Sequence, residues 1–407
     1  MLAVDGGTPV RTTMLDHRRG AAALGAEERA AVLEVLESQQ LFRYGGLGKA
    51  AAFEAAVGAR FGGHALATSS GTAALTAGLA ALGVGPGDEV VVPAVTFIAT
   101  ANAVVVAGAV PVFCDLDDSL GLDPAHLASL LNERTAAVVP VHLENVVCDM
   151  DGVLAVAKDV PVLEDACQAM GSTYKGKPAG TLGTAGCFSL QLEKNITSGE
   201  GGVFLTRDEQ LHLRAARYTD QGGQFVTGRG ASRGEIDEPF VGENLRMTEL
   251  AGAIAGAQLD RLDGLLAAMR SNKRKVLDGI GAVDGLTPRG VHDPEGDGGS
   301  SCFWYAPTAG VAQRFVAALL AEGIPSAQLY GGLPVYANAA YLARRTAAPS
   351  RSPWAQHPVH VSYALGDCPR AEDLASRAVG VAVSPHWSAS DLDDVVEAVR
   401  KVAAALL

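Results

Sequence analysis

The six cysteines, at 114, 148, 167, 187, 302 and 368, form no CxxC pair and no zinc-type spacing. That excludes a zinc module, and cysteines scattered along so long a chain read as reduced thiols. Positive charge is in deficit: 32 Lys and Arg against 45 Asp and Glu leave a formal charge of −13. A general nucleic-acid binder is therefore not expected. The opening stretch MLAVDGGTPVR has no basic-then-apolar export pattern, so the expectation is a cytoplasmic protein. An uncharged stretch from Val90 to Cys114 has the length of a membrane span, but Pro93, Thr96, Asn102, Gly108 and Pro111 divide it into strand, helix and strand. No membrane partner is expected. The chain also has no internal repeat and no low-complexity tract.

What is present is apolar content at 48% in 407 residues, with abundant Gly and Ala. This is the composition of a compact α/β enzyme with two domains, or with one large domain and a smaller one. Residues 1–24 read as an irregular arm, and Ala26–Ser38 has helical spacing. Apolar runs at 65–68, 90–94, 110–114, 136–141 and 160–163 then alternate with helix-length segments at 72–83, 97–107, 123–132 and 149–158. Such alternation predicts a mostly parallel sheet with helices on both faces. Shorter strands are expected near 186–190 and 202–205, and helices over 207–220 and 246–276. The breaker-rich stretch 285–301 reads as a loop or domain joint. These readings give an arm (1–24), a large domain (25–255) and a smaller C-terminal α/β domain (256–407).

The stretch FSLQLEKNITSGEGGVF, 188–204, sets a lone lysine, Lys194, between two strand-like runs. An amine in such a place can form an imine with a carbonyl, although a solvated loop lysine has the same local appearance. Four other stretches give it context. In ATSSGTAAL (67–75) a strand ends in Ser-Ser-Gly-Thr and opens a helix, which makes either an anion site or an ordinary N-cap. VPVLEDACQAMGS (160–172) puts Glu164 and Asp165 at a predicted strand end, where ligands of open α/β sheets gather. In VTFIATAN (95–102), Phe97 is free to stack on a planar ring or to join the core. VGENLRMTEL (241–250) offers Asn244 and Arg246 as phosphate or carboxylate contacts, or as helix caps. Together these are the parts that pyridoxal 5'-phosphate (PLP) needs: a phosphate anchor, a ring clamp, an acid to keep the pyridine nitrogen protonated, and an imine-forming amine.

On SSGTAAL, GDEVVVPAVTFIATANAV, PVFCDLD, EDACQA, FSLQLEKNITSGEGG and NLRMTELAGAIAGAQLDRL, the chain resembles the DegT/DnrJ/StrS family of PLP-dependent, fold type I sugar and cyclitol aminotransferases. The resemblance runs from about residue 25 to the C-terminus. It implies that Lys194 is the cofactor lysine, Asp165 the partner of the pyridine nitrogen, and Phe97 the residue over the ring. It places Gln168 beside the cofactor's 3-hydroxyl, and Gly71, Thr72 and Ser189 at the phosphate. Asn244 would reach the phosphate from the second subunit of a homodimer. The chain departs from the family at Val95, where a bulky aromatic is usual, at Met170, often His, and at Glu144-Asn145, often Tyr-Gly. LFRYGG (41–46) is closer to members acting on cyclitols and aminohydroxybenzoate precursors.

The expected reaction moves an amino group from glutamate or glutamine to a keto-cyclitol or keto-sugar. Lys194 acts as general base, and Arg43, Tyr44, His142 and Arg229 are candidate substrate contacts. A sugar dehydratase on the same fold would need a histidine at 194 or an iron–sulfur cluster. A non-catalytic PLP-binding regulator would bind the cofactor without turnover. No metal is called for. GVGPG (83–87) follows a helix and so reads as a turn, not a dinucleotide fingerprint.

Overall fold

The computed structural model describes residues 1–44, 47–223, 240–348 and 352–407. Two helices, α1 (Ala26–Ser38) and α2 (Lys49–Phe61), precede the alternating region. That region runs β1 (His64–Thr68), α3 (Gly71–Ala81), β2 (Glu89–Pro93), α4 (Ala99–Val106), β3 (Val110–Cys114), α5 (Pro124–Leu130), β4 (Thr135–Val138), α6 (Met150–Ala157) and β5 (Leu163–Asp165). After it come β6 (Ala185–Ser189), β7 (Gly202–Thr206), α7 (Glu209–Tyr218), α8 (Glu249–Leu259) and α9 (Leu262–Ile280).

Hydrogen bonding gives the sets β3-β2-β4 and β1-β7-β6-β5, and single bridges at Val138–Val162 and Val141–Asp165 join them into one sheet. β2 pairs parallel with β3 and β4, and β5 with β6, whereas β7 runs antiparallel to both β6 and β1. The mostly parallel sheet is present, with β7 the reversed strand. β2 illustrates why this sequence forms it. All five of its residues are buried, Val90 and Val92 in the core on one face and Val91 in the core on the other. A β-branched run apolar on both faces suits a strand covered by helices on both sides.

Three elements differ from the sequence expectation. The helix expected over 246–276 is two helices that break at Asp260-Arg261, where the Arg261 guanidinium binds the Ala23 carbonyl and the carboxylates of Glu27 and Glu28 on α1. Tertiary contact overrides the continuous apolar pattern there. The fifth strand is shifted to 163–165 and so contains both acids. The helix read at 207–220 is shorter, 209–218, because Asp208 caps its start through Gln210 and Leu211 N–H.

The C-terminal part builds a second, antiparallel sheet from β8 (Thr287–Pro288), β9 (Ser301–Tyr305), β10 (Ser326–Gln328) and β11 (Ala378–Ala382), in the order β8-β9-β11-β10. Its core includes Phe315, Val379, Val395 and Val399, and also Leu2 and Leu15 from the N-terminal segment. The arm is therefore docked on this sheet. Glu322 accepts from Ala3 N–H and Val10 N–H at 2.9 Å, and Trp387 Nε1 donates to the Asp16 carbonyl at 2.7 Å. Leu262–Met269 of α9 belong to a core of the large sheet and Val276–Ile280 to the small one, so this helix is shared between the two parts. Among the described residues, no helix is long and apolar enough to cross a membrane.

Candidate active site

The C-terminal ends of β1, β2, β5 and β6 converge on one region. After β1, Ser70 caps α3 by accepting from Ala73 N–H at 3.0 Å, and the first main-chain bond of the helix runs from Ala74 N–H to the Ser70 carbonyl. The Gly71 and Thr72 amides thus precede the intrahelical ladder, at the positive end of an eleven-residue helix. A Cβ on Gly71 would lie 2.8 Å from Ser189 Cβ and 2.9 Å from Cys167 Sγ. Glycine is required for this close approach, which brings the ends of β1, β5 and β6 together as a backbone-lined cradle. Thr72 is exposed at its rim, and Ser189 is buried beneath.

Asp165 ends β5 and is buried. Its Oδ2 accepts from the Thr100 hydroxyl at 2.7 Å, and its Oδ1 accepts from Cys167 N–H at 3.1 Å. Both bonds fix the direction of its side chain. Burial first, and then the charge of Asp165, push the Cys167 thiol well above its usual range, while Lys194 pulls the other way. Cys167 is therefore inert, and Asp165 and Lys194 both lie within electrostatic reach of it. Glu164, one residue earlier, points to the opposite face. It accepts from the amides of Gly180, Leu182 and Gly183 at 2.5–2.8 Å and pairs with His142 Nε2 at 2.8 Å.

Lys194 lies half-buried in the tight connection between β6 and β7. The connection is pinned by Leu190 N–H to the Gly201 carbonyl at 2.8 Å and by the Thr197 hydroxyl to the Leu190 carbonyl at 2.9 Å. Next to the lysine, Asn195 is buried and exchanges amide bonds with Asn145 at 2.6 and 3.1 Å. Phe97, in the turn after β2, is 57% exposed. Its ring is open to water three residues before the threonine that orients Asp165, and so is free to stack on a planar group. Gln168 accepts from Glu144 N–H at 3.1 Å and donates to the Tyr330 hydroxyl at 2.9 Å.

Of the proposed substrate contacts, His142 is corrected. It is fully buried, with Nε2 on Glu164 and Nδ1 3.6 Å from Cys148 Sγ, so it has no surface to offer a ligand. Arg43 and Tyr44 form a separate cluster. Arg43 Nη2 lies 2.7 Å from both Glu54 oxygens, and the Tyr44 hydroxyl donates to Asp220 at 2.8 Å, which in turn pairs with Arg246. Asn244 is exposed beside this cluster and bridges to Asp220 through the main chain. Arg229 lies outside the described residues.

The sequence reading missed Thr100, Arg19 and Tyr330. Tyr330 arrives from the small sheet on a left-handed turn (φ 46°, ψ 38°) followed by Gly331 and Gly332 at φ 70° and 77°. Desolvation, then the charge of Glu144, hold its phenol above the usual tyrosine range, with Asp165 acting in the same direction and Gln168 and Arg289 against. The tripeptide Tyr-Gly-Gly occurs at 44–46 and again at 330–332.

A lysine and a caged carboxylate at neighbouring ends of an open α/β sheet, beside a helix-terminal cradle, define a fold type I transferase. The chain belongs to the DegT/DnrJ/EryC1/StrS aminotransferase family, whose sequence model matches residues 22–366. It is 35% identical, over 99% of its own length and 97% of the relative's, to an L-glutamine:2-deoxy-scyllo-inosose aminotransferase of Micromonospora echinospora. Against a GDP-perosamine synthase of Caulobacter vibrioides identity is 46%, but over 50% of this chain and 54% of that protein. The crystal structure of 3-amino-5-hydroxybenzoic acid synthase superposes with a TM-score of 0.81 at 27% identity, covering 98% of this chain and 100% of that one.

Proposed function

We propose that the protein is a PLP-dependent aminotransferase that carries an amino group from L-glutamine, or glutamate, to a keto-cyclitol or related keto-sugar. The observation that carries this reading is the placement of Lys194 and the Thr100-held Asp165 around the Gly71 cradle. The residues fit the cofactor part by part. Gly71, Thr72 and Ser189 would hold its phosphate, Phe97 its ring face, Asp165 its pyridine nitrogen, Gln168 its 3-hydroxyl side and Lys194 its aldehyde. Bound there, the cofactor supplies an electron-withdrawing ring that stores the amino group between two half-reactions.

The chain's own groups do the rest. Asp165, oriented by the Thr100 hydroxyl and the Cys167 amide, would hold the proton on the ring nitrogen. The Lys194 amine acts as general base at the donor's Cα hydrogen and returns a proton in the second half-reaction. The Asn195–Asn145 amide pair fixes the main chain beside it. The Micromonospora relative, aligned along 97% of its own length, is named for an inosose acceptor, and this supports a carbocyclic acceptor. The exposed Asn244 supports a homodimer in which each subunit completes the other's phosphate site. Purified protein incubated with PLP should absorb near-visible light, release at most one equivalent of 2-oxo acid per site from glutamine alone, and release it continuously only when a keto-cyclitol is added. Colourless protein, or full turnover by Lys194→Ala, refutes the reading.

A further inference from the structure

A two-substrate aminotransferase faces a recognition problem at its own front door. The donor carries an α-carboxylate, and a keto-cyclitol carries none. Arg19 sets a cation beside the Lys194 loop. It comes from the N-terminal segment, which is tied down on both sides: Ser384 Oγ donates to the Arg18 carbonyl at 2.8 Å, His386 Nε2 meets the Arg19 carbonyl at 3.1 Å, and Gly20 N–H donates to the Lys194 carbonyl at 3.3 Å. Gly20 must be glycine, since a Cβ there would lie 2.7 Å from Ile196 Cα and 2.9 Å from the Asn195 carbonyl. The segment therefore lies flat on the lysine loop and delivers Arg19 beside it.

The Arg19 side chain is 14% exposed. Its Nη1 donates to the Glu193 carbonyl at 3.2 Å, and its Nη2 is 3.5 Å from Glu144 Oε2. A charge-assisted N–H···O bond closes to about 2.7–2.9 Å, so this pair is loose. Arg43, by contrast, holds both Glu54 oxygens at 2.7 Å. Glu144 stands in a left-handed conformation (φ 51°, ψ 47°) that is unfavourable for a non-glycine residue. Its N–H is taken by Gln168 Oε1. The strain is thus stored where this carboxylate meets both the cofactor-side glutamine and the arginine. A second buried cation, Arg289, donates to the Ser119 and Leu143 carbonyls, with its Nη1 left without a partner.

Resting on the aminotransferase reading, we infer that Arg19 is the binding residue for the donor's α-carboxylate and Glu144 its exchangeable counter-ion. When glutamine occupies the site, its carboxylate takes the guanidinium fork. When the uncharged acceptor replaces it, Glu144 closes on Arg19, so the half-buried cation is never left unpaired.

The test uses the holoenzyme with Arg19→Met, which keeps the apolar stem, and Arg19→Lys. Arg19→Met should raise the KM for glutamine about 10–100-fold while the KM for the keto acceptor stays within about threefold. Arg19→Lys should recover part of the loss. Calorimetry with glutaramate, which is glutamine without its amino group, should show the same weakening. 4-Aminobutanamide, which lacks the α-carboxylate, should react equally with both proteins. Glu144→Gln should lower the glutamine KM two- to fivefold. Unchanged glutamine KM and glutaramate affinity in Arg19→Met overturn the proposal, as does an equal rise in both KM values. So does transfer of the whole effect to Arg289→Met. The calorimetric arm reads Arg19 in protein that does not turn over, so a failed aminotransferase reading and a failed carboxylate site give different results.

Discussion

Glu164 and Asp165 are adjacent acids with opposite environments, because successive side chains of a strand face opposite ways. Glu164 is enclosed by three amides and His142, and Asp165 by Thr100 and the Cys167 amide at the open end of the sheet. Asp165→Asn keeps the shape but removes the carboxylate that, on the proposed reading, would hold a proton on the cofactor ring. We expect kcat to fall about 10²–10³-fold with the thermal midpoint nearly unchanged. Glu164→Ala does the reverse: it strands buried donors at a cost of about 3–5 kcal/mol, seen as a large drop in the unfolding midpoint. The same reasoning applies to Gly71→Ala, whose new methyl meets Ser189 and Cys167 under 3 Å. Overpacking of this kind costs about 1–3 kcal/mol, and titration should find PLP bound at least about tenfold more weakly.

At the scale of elements, what the sequence made legible was what depends on near neighbours. The alternation of strands and helices, the Ser-Gly-Thr start of α3 and the lysine between two short strands follow from local pattern, and the structure has each of them. The break between α8 and α9 depends on Arg261 reaching α1, more than 230 residues away, and no periodicity reports that. His142 was misread for the same reason, since its partner Glu164 lies one strand over. The packing of α7 on β1 gives a prediction of this kind. His212 rests against His64 with ring centroids 5.5 Å apart, and burial, then the charges of His64 and Arg43, lower its pKa to about 4. Folded protein therefore keeps His212 neutral while unfolded chain takes up a proton near pH 6.5. Its contribution is complete above that pH and is lost as pH falls toward 4. Fully expressed the difference is about 3 kcal/mol, and solvent screening at a half-buried site leaves about 1–2. Denaturant unfolding at a series of pH values should show this slope, and His212→Gln should remove it.

For the whole molecule, the candidate site draws on parts distant in sequence: Arg19 from the N-terminal segment, Lys194 and Asp165 from the large sheet, and Tyr330 from the small one. Sequence reading named Lys194 and Asp165 because they lie in the stretches that carry the family resemblance. It did not name Arg19 or Tyr330, which reach this region only when the small sheet and the N-terminal segment dock against the large sheet. Asn244 extends this logic beyond one chain. It is exposed beside the Tyr44–Asp220–Arg246 cluster, and Leu41 and Phe42 nearby are open apolar side chains at 43% and 47% exposure, the kind of surface a second copy would cover. If Asn244 completes the partner's phosphate site, Lys194→Ala and Asn244→Ala chains are each inactive or impaired alone yet complementary together. In a mixed dimer one site carries both defects and the other carries neither. Refolding the two variants at equal concentration should restore about a quarter of wild-type activity, since half the dimers are mixed and one site in each is intact. An asparagine that served its own subunit would leave every mixed site defective, and activity would stay at the average of the two variants.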